Sequence, residues 1–298
     1  MIAISGASGN LGRASALRVA ELLQLTDRGA ADGLILASRS PGDLDGLIPG
    51  ASTRFADFDR PDSLREAFAG ASRLLLISTS RVDNRSNQHA AAIDAARDAG
   101  VGHVVYTSML SPGPDNPALI SESHWATEEH LRASGLAFTV LRFSLYSDFQ
   151  VFEAAEALAS GRFVHNRGTG GCSYIARSDC ALVAASVVCG DGHEGATYEL
   201  TGPESLDAEQ LAALYADAGG RPVEAVSVGD DELLKTLSGG AGGDGHVQYG
   251  AALTVSLGRA IREGRFSGVS TTVQQLTGSA PRSVADMLAA SAEFLQSR

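Results

Sequence analysis

The sequence predicts an α/β fold: a doubly wound parallel sheet with a smaller α/β C-terminal lobe that forms the substrate cleft. Three observations predict it. Short apolar runs alternate with helical segments through the first half of the 298 residues. The runs are almost continuously apolar, as strands buried on both faces are. A glycine-rich stretch, with Gly6, Gly9 and Gly12 spaced by three, separates the first run from the first helix.

The strands are read at "MIAIS", "LILAS", "TRF", "RLLLIS", "HVVYTS" and "AFTVLR". Between them lie helices at "NLGRASALRVAELLQL", "RPDSLREAFAG", "NRSNQHAAAIDAARDAG" and "SHWATEEHLRASG". Strand, helix, strand in repetition is the pattern of right-handed crossovers between parallel strands. Pro61 stands at a helix start, and Gly70, Gly100 and Gly135 follow helix ends. Residues 1–145 are therefore expected to form the sheet, with ligands at the carboxyl ends of its strands. Residues 146–298 are expected to form a lobe interleaved with it rather than independent of it. In that lobe "SDCALVAASVVC" and "SLDAEQLAALYADAG" read as helices, "TYELTG" and "PVEAVSVG" as strands, and "SVADMLAASAEFLQS" as one terminal helix. The glycine-rich residues 238–246 read as a flexible loop or mobile cap.

A formal net charge of −12 disfavours nonspecific nucleic-acid binding, because a phosphate backbone needs a positive footprint. Cys172, Cys180 and Cys189 are an odd count without metal spacing and read as reduced, incidental thiols. No apolar run approaches the ~20 residues of a membrane span. The first strand begins at Met1, leaving no room for a removable leader, so a cytoplasmic protein is expected. His124 and His130 are six apart and share no helix face, so no metal site is expected.

An apolar strand, a glycine-rich turn and a helix make a dinucleotide-binding unit of the Rossmann type. The glycines permit a tight turn and close approach of a pyrophosphate, and the helix start offers free N–H groups to it. Residues Gly6, Ala7, Ser8, Gly9, Asn10, Leu11 and Gly12 are the expected cradle. An acidic residue ending the second strand would favour the ribose 2′-hydroxyl of NAD. Here that strand ends Ser38-Arg39-Ser40, and a guanidinium between hydroxyls suits a phosphate dianion, so NADP(H) is expected in preference to NAD(H). Arg13 is a candidate second cation. Arg39 as a solvated surface residue is the alternative. Asp57 is placed either to meet the adenine amino group or to cap a turn. Ser78, Thr79 and Ser80 end the fourth strand, and Tyr106, Thr107 and Ser108 the fifth. All are expected along the cofactor's riboses and pyrophosphate.

A Tyr-x-x-x-Lys pair on the helix after the fifth strand lets many dehydrogenases shuttle a proton. This helix has no lysine, and the frame there runs from His124 to Glu128. His124 is the remaining candidate proton donor, or else a structural histidine at a helix start. Phe143, Tyr146, Phe149 and Trp125 are candidate walls of an apolar acceptor cleft, or else ordinary core residues.

"GASGNLG", "LLLISTS", "GVGHVVYTS", "SHWATEEHLRASGLAFTVLR" and "LYSDF" together resemble the NmrA-like atypical short-chain dehydrogenases. Within them the chain is most similar to the bacterial type 2 NAD(P)H:quinone oxidoreductases and triphenylmethane reductases. The resemblance runs nearly the whole chain. It implies an NADPH-dependent oxidoreductase without the Tyr/Lys pair, passing hydride from nicotinamide to a quinone-like or other conjugated acceptor. It also implies that Gly6–Gly12 and Arg39 hold NADP. The quinone reductases carry Asn-Gly after the sixth-strand arginine and the dye reductases Asn-Ala. This chain has Phe143-Ser144-Leu145 after Arg142, so its pocket floor differs. An NADP-binding redox regulator without turnover is the alternative from another class, and a biosynthetic reductase or epimerase a further one. A small-molecule conjugated acceptor is the expected partner, with a homodimer as the expected assembly.

Overall fold

The computed structural model describes residues 1–25, 33–79, 84–239 and 245–297. The first half alternates strand and helix, except that only a short 3-10 turn (Pro41–Leu44) separates the second strand from the third. β1 (Ile2–Ser5), α1 (Asn10–Leu25), β2 (Leu34–Ser38), β3 (Ser52–Phe55), α2 (Asp62–Phe68), β4 (Arg73–Leu76), α3 (Arg85–Asp98), β5 (His103–Met109), α4 (Ser121–Ala133) and β6 (Ala137–Phe143) follow one another. The later segment adds α5 (Asp148–Ser160), β7 (Arg162–His165), α6 (Arg177–Cys189), β8 (Thr197–Leu200), α7 (Ala208–Gly219) and β9 (Glu224–Ser227). It closes with α8 (Asp230–Leu237), α9 (Gly245–Arg262), α10 (Thr272–Thr277), α11 (Val284–Ala290) and α12 (Ala292–Gln296).

Seven parallel strands form the main sheet in the order β3-β2-β1-β4-β5-β6-β8. Every residue of β1, β2 and β5 is buried. Continuous apolar strands of this kind require helices on both faces. On one face α1 and α6 pack together through Ala16, Val19 and Ala20 against Ala181, Ala184 and Val188. Their small side chains let the two helices approach closely. On the other face α2, α3 and α4 present Leu64, Phe68, Ala92, Ile93, Ala96 and Leu131. The strand order reverses between β1 and β4, which opens a crevice at their carboxyl ends.

The segment after residue 145 contributes to both layers. β8 pairs with β6 and α6 packs on α1, so "TYELTG" and "SDCALVAASVVC" complete the main sheet. "PVEAVSVG" forms β9, which pairs in parallel with β7 as a separate two-stranded sheet. A third apolar cluster, built on Phe163, Tyr215 and Phe266, joins this sheet to α5, α7, α9, α11 and α12. Two expectations change here. The terminal "SVADMLAASAEFLQS" is two helices, because Ser291 closes α11 by donating its N–H to Leu288 and at the same time starts α12. Of the loop expected over 238–246, residues 240–244 lie outside the described residues, and α9 already begins at Gly245. No helix among the described residues is long and apolar enough to cross a membrane.

Candidate active site

Gly6 leaves β1 with φ +63°, a conformation that L side chains rarely adopt. The chain then folds back on itself. The Gly9 amide donates to the Gly6 carbonyl at 3.0 Å, and the Arg13 amide to Gly9 at 2.8 Å. A Cβ on Gly12 would sit 2.2 Å from the Gly6 carbonyl oxygen, so the loop crosses the first turn of α1 at backbone distance. Among the described residues, no carbonyl accepts from the amides of Asn10, Leu11 or Gly12, and the first turn carries no acidic side chain. Free amides and a partial positive charge make this helix start fit a pyrophosphate. Gly6, Ser8, Gly9, Asn10, Leu11 and Gly12 all line one cleft. Ala7 does not. It is fully buried, and its amide is taken by the Ala37 carbonyl at 3.1 Å, so it serves the β1–β2 junction instead.

At the end of β2, Ser38 Oγ donates to Ser8 Oγ at 2.7 Å and accepts from the Ser40 amide at 3.1 Å. Arg39 is exposed, lines the cleft and pairs with no side chain among the described residues. Arg13, the expected second cation, is corrected. Its guanidinium donates to the carbonyls of Ser8 at 3.2 Å and Asp43 at 2.8 Å, and it does not line the cleft. Asp57 lines the cleft beside Phe58, and its Oδ1 also accepts from the Asp59 amide at 3.1 Å, an Asx turn.

The ends of β4 and β5 face one another. The Ser78 amide donates to Thr107 Oγ1 at 2.9 Å, and Ser78, Thr79, Thr107 and Ser108 line the cleft. Ser80 lies outside the described residues. Ser108 donates to Glu128 Oε1 at 2.7 Å, which leaves its lone pairs for the cleft. Glu128 is fully buried, and Arg142 meets both its oxygens at 3.0 and 2.6 Å, with Arg132 at 2.7 Å. Burial alone would raise this carboxyl. The hydrogen bonds from Arg142 and Ser108 outweigh it and hold Glu128 below the usual carboxylate range. The place of a catalytic lysine is thus filled by an anion already neutralised.

Tyr106 is also corrected. It is fully buried and does not line the cleft. Its side chain runs toward α3 and α4, where its hydroxyl lies 2.8 Å from Nδ1 of His124. His124 itself lines the cleft. Burial first, then the charge of Arg85 and the neighbouring His89, lowers its pKa well below the ordinary imidazole value. The ring is therefore neutral near pH 7.

Beyond β6 the cleft turns apolar. Phe143, Tyr146 and Phe149 line it. The Tyr146 and Phe149 rings stack with centroids 6.4 Å apart. The Arg177 guanidinium sits 5.1 Å from the Tyr146 centroid and is held by Asp148 at 2.9 Å. Trp125 is corrected: it is exposed and does not line the cleft. One residue along a helix turns the side chain by about 100°, so with His124 facing inward Trp125 faces away. The sequence reading did not find the outer walls. Phe152 and Glu153 on α5, Leu233 and Leu237 on α8, and Leu253 and Leu257 on α9 complete the cleft, whose volume is about 1070 Å³. Arg167 lies on its floor, donating to both Glu153 oxygens at 2.8 and 2.9 Å and to the Tyr174 hydroxyl at 2.8 Å. The signal for α5 was present in the i, i+3 spacing of Phe149 and Phe152.

Residues 6–189 match the family described as NAD(P)H-binding. Quinone oxidoreductase 2 of Escherichia coli (strain K12) is 35% identical over 238 residues, 80% of this chain and 81% of that protein. Among solved structures, the NADPH-dependent quinone oxidoreductase of Escherichia coli complexed with NADPH matches with a TM-score of 0.88 at 30% identity, covering 97% of this chain and 99% of that one. Triphenylmethane reductase of Citrobacter sp., complexed with NADP(H), matches with a TM-score of 0.87 at 32% identity, covering 98% of this chain and 100% of that one.

Proposed function

The chain belongs to the NAD(P)H-binding family, and from that premise we propose that this NAD(P)H-dependent oxidoreductase reduces flat, conjugated acceptors such as quinones, with NADPH as donor. The observation that carries this reading is one continuous cleft. It runs from the free amides of α1, past His124, to the aromatic wall of Phe143, Tyr146 and Phe149.

The residues present fit the cofactor. The amides of Asn10, Leu11 and Gly12 suit its pyrophosphate, and Arg39 suits a 2′-phosphate. Ser78, Thr79, Thr107 and Ser108 supply polar groups along the sheet edge between them. When bound, the nicotinamide supplies a hydride. The protein's own part is to hold a flat acceptor on the aromatic wall, where orientation lowers the barrier, and to exclude water with α5, α8 and α9. His124 faces the cleft and offers a hydrogen bond to an acceptor oxygen as negative charge develops on it. No Tyr/Lys pair is needed for a conjugated acceptor, which spreads the incoming charge over its own π-system. We place the division of labour near residue 145: residues 1–145 bind the cofactor, and residues 146–298 shape the acceptor half and complete the sheet.

The test is a panel assay. NADPH oxidation is followed with benzoquinones, naphthoquinones and cationic dyes, beside calorimetric titration of NADPH alone. Turnover with at least one conjugated class supports the reading. Tight NADPH binding without turnover on any acceptor would make the protein a redox sensor instead.

A further inference from the structure

Behind His124, on the side away from the cleft, three side chains from three elements meet: His89 on α3, Tyr106 on β5 and His124 on α4. All are buried. We infer that His89 and Tyr106 are positioning residues that hold His124 in its Nε2–H tautomer, so that the imidazole meets the acceptor as a neutral hydrogen-bond donor. The inference rests on the reading above that the acceptor lies beside His124.

The hydrogen positions follow from one fixed donor. The Thr79 backbone N–H donates to His89 Nε2 at 3.1 Å. A neutral imidazole that accepts at Nε2 carries its proton on Nδ1. That Nδ1 lies 2.9 Å from Thr127 Oγ1, whose own proton goes to the Ser123 carbonyl at 2.7 Å. His89 is therefore the donor to Thr127. Its Nδ1, 3.4 Å from the Tyr106 hydroxyl, has no lone pair to offer that hydroxyl. The acceptor left for the Tyr106 proton is His124 Nδ1, at 2.8 Å. With Nδ1 accepting, His124 carries its proton on Nε2. That nitrogen has no hydrogen-bond partner among the described residues and is not among their buried unpaired atoms, and His124 lines the cleft, so it opens there.

The surrounding charges support the same assignment. Arg85 is buried next to this cluster, donating to the Thr79 carbonyl at 3.0 Å and to Ser123 Oγ at 3.2 Å. Burial, then the Arg85 charge, brings His89 down to about 3. Burial pushes the Tyr106 phenol well up, and Glu128 on α4 adds to the rise against the pull of Arg85. The phenol keeps its proton and both rings stay neutral. A neutral donor of this kind needs no proton of its own to lose during the hydride step.

The experiment is a long-range ¹H–¹⁵N correlation spectrum of the protein labelled at its histidines, without cofactor or acceptor, at neutral pH. A His124→Gln variant identifies the ring. The proposal expects His124 as the Nε2–H tautomer and His89 as the Nδ1–H tautomer. In Tyr106→Phe the His124 signals are expected to shift toward a mixture of tautomers while the circular dichroism spectrum is retained. His124 found as Nδ1–H or as imidazolium in the wild type would overturn the proposal. So would an unchanged Nε2–H form in Tyr106→Phe. Because nothing is turned over, this result is independent of the acceptor assay that tests the function.

Discussion

Ser38 Oγ lies 2.7 Å from Ser8 Oγ, joining the end of β2 to the glycine loop. The next residue, Arg39, lies at the rim of the same cleft, near in space to the glycine loop that suits a pyrophosphate. Its guanidinium is free of side-chain partners among the described residues and fits a phosphate dianion. A charge-assisted hydrogen bond is worth about 1.5–3 kcal/mol, or roughly tenfold and more in affinity. Arg39→Ala should abolish most of the preference for NADPH while leaving NADH binding nearly unchanged. Calorimetric titration of both cofactors checks it, and equal losses for the two would place the 2′-phosphate elsewhere.

Gly12 carries the loop's close crossing. A methyl there would meet the Gly6 carbonyl oxygen at 2.2 Å and the Ala7 Cα at 2.8 Å, both backbone atoms. Neither can rotate away, so the loop must shift. Gly12→Ala should lower stability by about 1–3 kcal/mol and remove NADPH binding, because the α1 amides no longer converge. Thermal unfolding with and without NADPH measures both effects. A variant still stabilised by NADPH to the wild-type extent would show that the cradle tolerates the methyl.

His124 acts, in this account, as a neutral donor rather than an imidazolium acid. Turnover should therefore not decline as pH rises through the ordinary imidazole value of about 6.5. Loss of one such donor costs about 10²–10³-fold in turnover, and His124→Ala should fall in that range with quinones. Reduction of a cationic dye places no charge on an oxygen and should change little. Steady-state rates for both variants on both acceptors across pH decide it. A wild-type quinone rate that falls through pH 6.5 would identify the imidazolium as the working form.

The buried histidines also set an acid limit to the fold. Burial lowers the pKa of His89, His103, His124 and His165 below the ordinary value. Below about pH 6.5 the unfolded chain binds protons at these positions that the folded chain does not. Stability is thus intact above that pH and lost as pH falls, by up to about 1.4 kcal/mol per pH unit for each histidine. For His89 the window runs from 6.5 down to about 3. Urea midpoints should drop steadily from neutral pH toward pH 5. A midpoint constant over that range would contradict the burial of neutral rings.

The sequence was most legible where local pattern and tertiary role agree. α1 occupies the whole of "NLGRASALRVAELLQL" because its start is marked by the loop and its apolar face by one core. Most strands of the first half were equally plain, being almost continuously apolar; β3, Ser-Thr-Arg-Phe, was the weakest of them. Pairing was not readable in the second half. Nothing local distinguishes "TYELTG", which joins β6, from "PVEAVSVG", which joins β7, since partner choice is a long-range property. α5, α8 and α9 escaped notice for a different reason. Several of their apolar residues face the cleft instead of a core, and Phe149 and Phe152 remain 55% and 64% exposed. At the site, most of the motif positions named from the sequence line the cleft, but side-chain direction could not be read. Tyr106 and Trp125 each adjoin a cleft residue in sequence and point away from the cleft in space. The depressed pKa of His124 comes first from its burial and then from Arg85 and His89 on another helix, none of which spacing alone can reveal.

The most direct test of the central claim is the stoichiometry of NADPH oxidation against quinone reduction in one anaerobic reaction of the purified protein. The account predicts one quinone reduced to its hydroquinone for each NADPH consumed, faster with NADPH than with NADH. NADPH that binds in the cleft yet is not consumed, with quinones and dyes alike, would contradict it.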